Sequence, residues 1–167
     1  MDSEFLTVVD GNDVVLGYST REDIKRRGLN YRCVQVFLFN GADELLLCKR
    51  PDTKRMFASQ FGAVMGHVRR GETYEEAAMR EVREELGINT RLRRVTKFSV
   101  MDGANRVFQE IYSGSVGTDV KPDKTEISEA KFVSLKDLRT DMVMNAGKYA
   151  PPFIEAVRSF MKAKNIY

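Results

Sequence analysis

Three glutamates in one short segment are the strongest chemical feature of the sequence. Glu81, Glu84 and Glu85 lie in the stretch from Tyr74 to Leu86. At about 100° per residue, a helix over this stretch places Glu85 on its apolar stripe, Glu81 beside it and Glu84 further round. Carboxylates at a half-buried helix edge are costly unless a cation shares the site. Hard divalent cations such as Mg2+ prefer oxygen ligands of this kind, usually together with substrate phosphates.

The limits of this helix follow from local signals. Thr73 and Glu76 have the spacing of a capping box, and Gly87 is suited to the left-handed residue that ends a helix. We therefore expect a helix over about Tyr74 to Leu86 whose apolar side packs on a sheet. That side consists of Tyr74, Ala78, Val82 and Leu86. Taken alone, the segment is more typical of a solvated helix with i,i+4 pairs between Arg80 and its glutamates.

The flanking residues favour the functional interpretation. The chain matches the pattern G-x5-E-x7-R-E-U-x-E-E-x-G-U, where U is a bulky aliphatic residue, at every fixed position. These positions are Gly66, Glu72, Arg80, Glu81, Val82, Glu84, Glu85, Gly87 and Ile88. This pattern is the Nudix box, and the sequence therefore resembles the Nudix superfamily. The resemblance implies an α/β/α fold and hydrolysis of a nucleoside diphosphate linked to another group, with Mg2+ or Mn2+ as cofactor.

The resemblance also implies roles for individual residues. Glu81, Glu84 and Glu85 are expected to bind the metal, together with the backbone carbonyl of Met65. Glu81 and Glu84 are further expected to form the catalytic group with Arg80. Glu72 and Arg80 are expected to hold the glutamates in place.

The glutamate that acts as general base varies across the superfamily. Glu81 is our first choice. Glu126 and Glu129, from a later loop, are the alternative, although two such residues are more often ordinary surface acids. Substitution by glutamine separates the cases, since a base loses turnover and keeps metal affinity, whereas a ligand loses both.

Segments outside the box resemble the branch of the superfamily that includes isopentenyl-diphosphate isomerase and related hydrolases. These segments are Val8 to Asp10, Val36 to Asn40, Leu45 to Arg50 and Tyr149 to Phe153. The diphosphate-contacting residues of that branch fall on Arg50 and Lys54. Both belong to a basic run that would otherwise be a solvated loop. His67, the single histidine, is either a phosphate contact or a loop histidine bonded to backbone.

The isomerase itself is the main alternative function. Its catalytic cysteine is replaced here by Met65, and a thioether cannot act as an acid or a base. One of its metal-binding histidines is matched by Tyr31, and its box is degraded, whereas this box is intact. These differences favour a hydrolase. A Nudix module that only binds a ligand is a further alternative, but such modules commonly lose box glutamates.

Composition and charge indicate the number of domains, the partners and the cellular compartment. The chain has 167 residues, of which 43% are hydrophobic, and we expect a single domain over 1–167 with an N-terminal hairpin extension over about 1–29. The net charge of +3 gives no reason to expect nucleic acid or membrane partners. Cys33 and Cys48 lie in apolar runs, which favours reduced buried thiols and a cytoplasmic protein. A homodimer is compatible with the sequence but is not predicted by it.

The other segments predict the elements that position the box helix. We expect an α/β protein in which a mixed central sheet carries this helix on one face. Strands are expected over residues 5–9, 14–18, 31–39, 44–48, 91–100, 108–117 and 131–134. Further helices are expected after Ser19 or Thr20 up to about Gly28, over 134–138, and from Pro151 to about Ala163.

Overall fold

A computed structural model describes residues 4–166 and confirms the mixed sheet flanked by helices. The strands are β1 Phe5–Val9, β2 Val15–Thr20, β3 Asn30–Phe39, β4 Leu45–Lys49, β5 Phe61–Gly62, β6 Val64–His67, β7 Arg93–Asp102, β8 Asn105–Ser115 and β9 Glu129–Val133. The helices are α1 Arg21–Arg27, α2 Tyr74–Leu86, α3 Leu135–Met144 and α4 Pro151–Ala163, with a short 3-10 turn at Ala146–Lys148. Within this part of the chain, no helix is long and apolar enough to cross a membrane.

The long strand β3 is the centre of the sheet. One of its edges pairs in parallel with β8 along its length, from Tyr31 to Phe39. Its other edge is shared by three antiparallel strands, β1 at the start, β6 in the middle and β4 at the end. Because β6 and β4 follow one another along the same edge of β3, the box residues after β6 and the loop after β4 start from neighbouring positions at that edge.

Alternate residues of β3 point to opposite faces of the sheet. Val34 and Val36 join the core cluster under α2. Phe37 points the other way and packs against Phe153 and Phe160 of α4, with ring centroids 5.8 and 5.0 Å apart. Helix α1 covers the start of the same face through Ile24. Helices therefore lie on both faces, and the predicted α/β/α sandwich with the box helix on the sheet is confirmed.

The N-terminal hairpin and its helix follow the sequence prediction. Strands β1 and β2 pair antiparallel, and the turn between them is closed by Asp10, whose Oδ1 accepts hydrogen bonds from Asn12 and Val14. Thr20 caps α1 by accepting from the Asp23 N–H, and Gly28 ends it in the left-handed conformation. Residues 1–3 of the predicted extension over about 1–29 lie outside the described part of the chain.

Three sequence predictions were wrong at element boundaries. Val64–His67, where no strand was expected, is strand β6, because it finds hydrogen-bond partners on β3. Helix α3 continues to Met144, since Leu138 and Met142 both bury against the α4 side of the sheet. Strands β7 and β8 reach to within two residues of each other, because Gly103 has the positive φ of 62° that a tight turn requires.

Removal of the α2 cap should measure how much local signals stabilise the box helix. The Thr73 side chain accepts from the Glu76 N–H at 3.1 Å, and the Glu76 carboxylate accepts from the Thr73 N–H at 2.8 Å. Thr73→Ala should therefore lower the free energy of unfolding by about 1 kcal/mol in urea denaturation. Thr118→Ala, at an exposed loop position, is the matched control. Equal stability of the two variants would contradict the capping assignment.

Candidate active site

A cleft of about 1120 Å³ opens beside β6 and contains most of the residues predicted from the box. Glu81, Glu84 and Glu85 line it and form its acidic wall, and Arg50 and Lys54 from the loop after β4 also line it and form its basic wall. Acidic and basic side chains thus border one space that is large enough for a small molecule. Met65 and His67 of β6 also line it.

Gly66 explains how the strand and the helix approach so closely. It lies opposite Val34 on β3, on the face that α2 covers. A Cβ at this position would overlap the Glu81 carboxylate and come within 2.6 Å of Glu81 Cγ. Since real Cβ atoms essentially never approach other atoms this closely, only glycine leaves room for the glutamate here. The box glycine therefore makes the space in which the Glu81 side chain lies.

Arg80 lies behind the cleft and organises its acidic wall. Its guanidinium donates to both carboxylate oxygens of Glu72, at 2.5 and 3.0 Å, and to the His67 carbonyl at 2.9 Å. It also donates to Glu81 at 2.6 Å and to Glu84 at 3.3 Å. A planar fork with several fixed acceptors holds its partners in one geometry. Because Arg80 does not line the cleft, it is placed to orient Glu81 and Glu84 rather than to contact a substrate.

Glu72 has the supporting position that the resemblance implies. Besides Arg80, it accepts the backbone N–H of Arg69 at 2.9 Å and thereby closes the turn before α2. Burial raises the pKa of Glu72, but the hydrogen bonds from Arg80 and Arg69 outweigh burial and lower it overall. The residue is therefore ionised at neutral pH.

Arg69 is a site residue that the sequence analysis missed. It lines the cleft and donates to both oxygens of Glu84, at 3.0 and 3.5 Å, and it also pairs with Glu4. No local pattern distinguishes it from other arginines of the box segment, and only the fold brings it to Glu84. Together with Arg80 it separates the box carboxylates. Within residues 4–166, no three acidic, histidine or cysteine side chains lie close enough together in this structure to hold a metal ion.

Glu85 is the most unusual carboxylate of the cleft. The residue is only 7% exposed, yet it lines the cleft. Burial raises the pKa of Glu85 well above its usual range, and the nearby Glu81 and Glu126 raise it further, against the opposing charges of Arg50 and Lys54. A buried carboxylate is costly unless it takes up a proton or a cation. Its chemistry therefore fits a divalent cation in the cleft.

Glu81 combines burial with access to the cleft. Burial raises the pKa of Glu81, although the hydrogen bond from Arg80 opposes this effect. A carboxylate with a raised pKa and a fixed orientation has the properties of a general base.

The basic wall is built by the loop after β4. Arg50 donates through Nε to the Met56 carbonyl at 2.9 Å, which folds the loop back over the cleft. Lys54 pairs with Glu126 at 2.8 Å across the mouth of the cleft. Of the two alternative bases, Glu126 lines the cleft. Glu129 lies on β9, outside the cleft, and its Oε2 is 3.8 Å from Lys49 Nζ.

His67 lies on β6 beside Tyr31, with ring centroids 5.6 Å apart. Burial lowers the pKa of His67 to about 3, and the charges of Arg21 and Arg50 contribute. The imidazole is therefore neutral at physiological pH. Its ring lines the cleft, so a substrate contact is open to it as an uncharged group.

The sequence analysis did not identify two buried glutamines at the site. Gln35 and Gln109 are fully buried on neighbouring strands, with a 2.7 Å hydrogen bond from Gln35 Nε2 to Gln109 Oε1. Gln109 lines the cleft. A glutamine inside the otherwise apolar run from Val34 to Leu38 was the signal that could have found the first of them.

Comparison with known families agrees with this geometry. The profile of the NUDIX domain matches residues 30–154. An uncharacterized Nudix hydrolase of Pseudomonas aeruginosa is 31% identical over 167 residues, covering 97% of this chain and 96% of that protein. The chain belongs to the Nudix family, and the predicted enzyme class, a hydrolase acting on acid anhydrides in phosphorus-containing substrates, is confirmed.

Other relatives lie in the branch that the flanking segments resemble. An isopentenyl-diphosphate Delta-isomerase of Photorhabdus laumondii is 30% identical over 149 residues, covering 86% of this chain and 84% of the isomerase. A prenyl-diphosphate phosphatase of Methanosarcina mazei is 25% identical over 161 residues, covering 94% and 95%. The crystal structure of DR0079 from Deinococcus radiodurans superposes with a TM-score of 0.81 at 29% identity, covering 94% of this chain and 99% of that one.

Proposed function

We propose that the protein is a pyrophosphohydrolase that requires Mg2+ or Mn2+ and cleaves a diphosphate linkage in a small molecule, a nucleoside diphosphate derivative in the first instance. The observation that carries this proposal is the buried Glu85, which lines one cleft together with Glu81, Glu84, Arg50 and Lys54. Acidic groups for a cation and basic groups for phosphate are the two halves of a diphosphate site.

The residues available for the metal are Glu81, Glu84 and Glu85, with the Met65 carbonyl beside them on β6. When bound, a divalent cation supplies positive charge that activates water and stabilises the diphosphate oxygens. Arg80 holds Glu81 and Glu84, and Arg69 also contacts Glu84, so these arginines orient two of the three carboxylates that would hold the cation.

Side chains of the protein accept the proton and neutralise the phosphate charge. Glu81 accepts the proton of the attacking water as this attacks one phosphorus of the diphosphate. Arg50 and Lys54 neutralise the phosphate oxygens that are not bound to the cation, which favours departure of the leaving phosphate. Glu126 holds Lys54 at the mouth of the cleft.

A prenyl diphosphate is the second candidate substrate. Met56, Phe57 and Met101 give part of the cleft an apolar lining. Relatives named as a prenyl-diphosphate phosphatase and an isopentenyl-diphosphate isomerase support the same class. For this chain, Met65 at the position of the isomerase cysteine favours hydrolysis over isomerisation.

A substrate panel tests the proposal. The purified protein is incubated with Mg2+ or Mn2+ and with nucleoside diphosphates and triphosphates, nucleotide sugars, dinucleotides and isopentenyl diphosphate, and product masses are recorded. We expect products that correspond to addition of water across one diphosphate bond. Formation of dimethylallyl diphosphate without any cleavage would show an isomerase. Tight binding without any turnover would show a module that only binds.

Lys54 offers a test of the basic wall. Lys54→Met should raise the KM for the best substrate of the panel about tenfold, because one charged contact to phosphate is lost, and should change kcat less. Lys136→Met, on an exposed face of α3, is the matched control. An unchanged KM would show that Lys54 serves only its pair with Glu126.

A further inference from the structure

Gln109 lines the cleft and is hydrogen-bonded to the buried Gln35, and the proposed chemistry uses neither of them. Cys33 pairs with His67 on one edge of β3 and with Gln109 on the other. Gln109 therefore lies two strand spacings, about 10 Å, from the backbone of His67, on the face of the sheet that carries α1 and α4. Gln109 is 2% exposed and lines the cleft at a position outside the box.

The hydrogen bonds determine the orientation of the side-chain amides of Gln35 and Gln109. The Pro152 carbonyl lies 3.0 Å from the Gln35 amide and can only accept, so the Gln35 group that faces it is nitrogen. The same nitrogen donates to Gln109 Oε1 at 2.7 Å. The NH2 group is thus the end of the Gln109 amide that Gln35 does not contact. It donates no hydrogen bond to an acceptor within residues 4–166.

The pair is not explained by stability. Gln35 is 0% exposed, and its Oε1 has no hydrogen-bond partner in the described part of the chain. Leaving a buried acceptor unpaired destabilises a protein, whereas apolar residues of similar shape at both positions are close to neutral. Buried polar groups without a hydrogen-bond partner are typical of functional positions.

We propose that the Gln109 amide is the specificity-determining donor of the cleft, and that it selects substrates whose non-phosphate part carries an uncharged oxygen or ring-nitrogen acceptor. Nucleosides carry such acceptors, and a hydrocarbon prenyl chain does not. The inference rests on the proposed function, because it assigns the part of the substrate next to the cleaved diphosphate. Gln35 acts as a positioning residue, since it orients Gln109 from a site that does not line the cleft.

Binding measurements with Gln109→Leu test this assignment. Calorimetric titrations use ADP, GDP, CDP, UDP and isopentenyl diphosphate as probes, with the intact chain, in Ca2+ buffer in which product analysis shows no turnover. We expect the affinity of at least one nucleoside diphosphate to fall about tenfold or more, and that of isopentenyl diphosphate to change less than about twofold. Gln35→Leu should weaken the same nucleoside probe by a smaller factor. Gln60→Leu, at the remaining glutamine outside the cleft, should change nothing.

The outcomes separate this proposal from the proposed function. Equal losses for all probes would show that Gln109 is structural, and unchanged affinities, or a wild type that binds none of the nucleoside diphosphates, would also overturn the assignment. Binding is measured independently of turnover. A wild type that binds nucleoside diphosphates through Gln109 but cleaves no substrate of the panel would refute the hydrolase proposal and leave the Gln109 assignment standing.

Discussion

Glu81→Gln is expected to lower kcat about 100- to 10,000-fold, the range that a positioned general base contributes. The Glu81 carboxylate lines the cleft, is held by Arg80 at 2.6 Å, and has a pKa that burial raises. Glutamine keeps the shape and can still accept the Arg80 hydrogen bond, but it cannot take a proton from water. The measurement is steady-state turnover of the best substrate at saturating Mg2+.

A second measurement on the same variant separates a base from a ligand. If Glu81 is the base, Mg2+ affinity measured by calorimetry should change only a few-fold. Loss of both turnover and affinity would instead make Glu81 chiefly a metal ligand and leave Glu126 as the alternative base at the cleft. Glu75→Gln, on the exposed side of the same helix, is the matched control. Turnover of Glu81→Gln close to that of this control would contradict both roles.

Gly66→Ala is expected to reduce kcat at least about 100-fold while the protein stays folded. The added Cβ would occupy the space of the Glu81 carboxylate, and the atoms that it meets are the far end of a flexible side chain. The glutamate can therefore swing away, so that β6 keeps its pairing with β3 but the acidic wall loses its geometry. The measurement combines kcat with the thermal unfolding midpoint.

Gly17→Ala is the control for this prediction, since a Cβ at Gly17 meets nothing within 4 Å. Both variants should unfold within a few degrees of the wild type. An active Gly66→Ala protein would contradict the requirement for space beside Glu81. An inactive protein that is also unfolded would show that Gly66 serves the packing of α2 on β6 rather than the site alone.

The box helix could be predicted because its signals are local. Thr73 and Glu76 fix its start, Gly87 fixes its end, and the spacing of Ala78 and Val82 gives the side that packs on the sheet. The burial of Glu85 also follows from this spacing, since it projects onto the apolar stripe.

The missed features depend on contacts between distant parts of the chain. Strand β6 contains a glycine and a histidine and has no strand pattern of its own, so only its pairing with β3 reveals it. Gln35 and Gln109 are 74 positions apart, and their hydrogen bond depends on the parallel pairing of β3 with β8. Arg69 reaches Glu84 only after the turn before α2 has formed. Sequence spacing identified the acidic wall but not Gln109 or Arg69.

The central claim is that the box glutamates serve metal-dependent hydrolysis of a diphosphate bond. The most direct test measures phosphate or pyrophosphate release from nucleoside diphosphate derivatives by the wild type and by Glu84→Gln, each with Mg2+ and with a chelator. We predict release by the wild type that requires the metal and falls roughly 1,000-fold in the variant, as expected when several kcal/mol of charge stabilisation are lost. Release that persists in chelator, or that is equal in the two proteins, would contradict the claim.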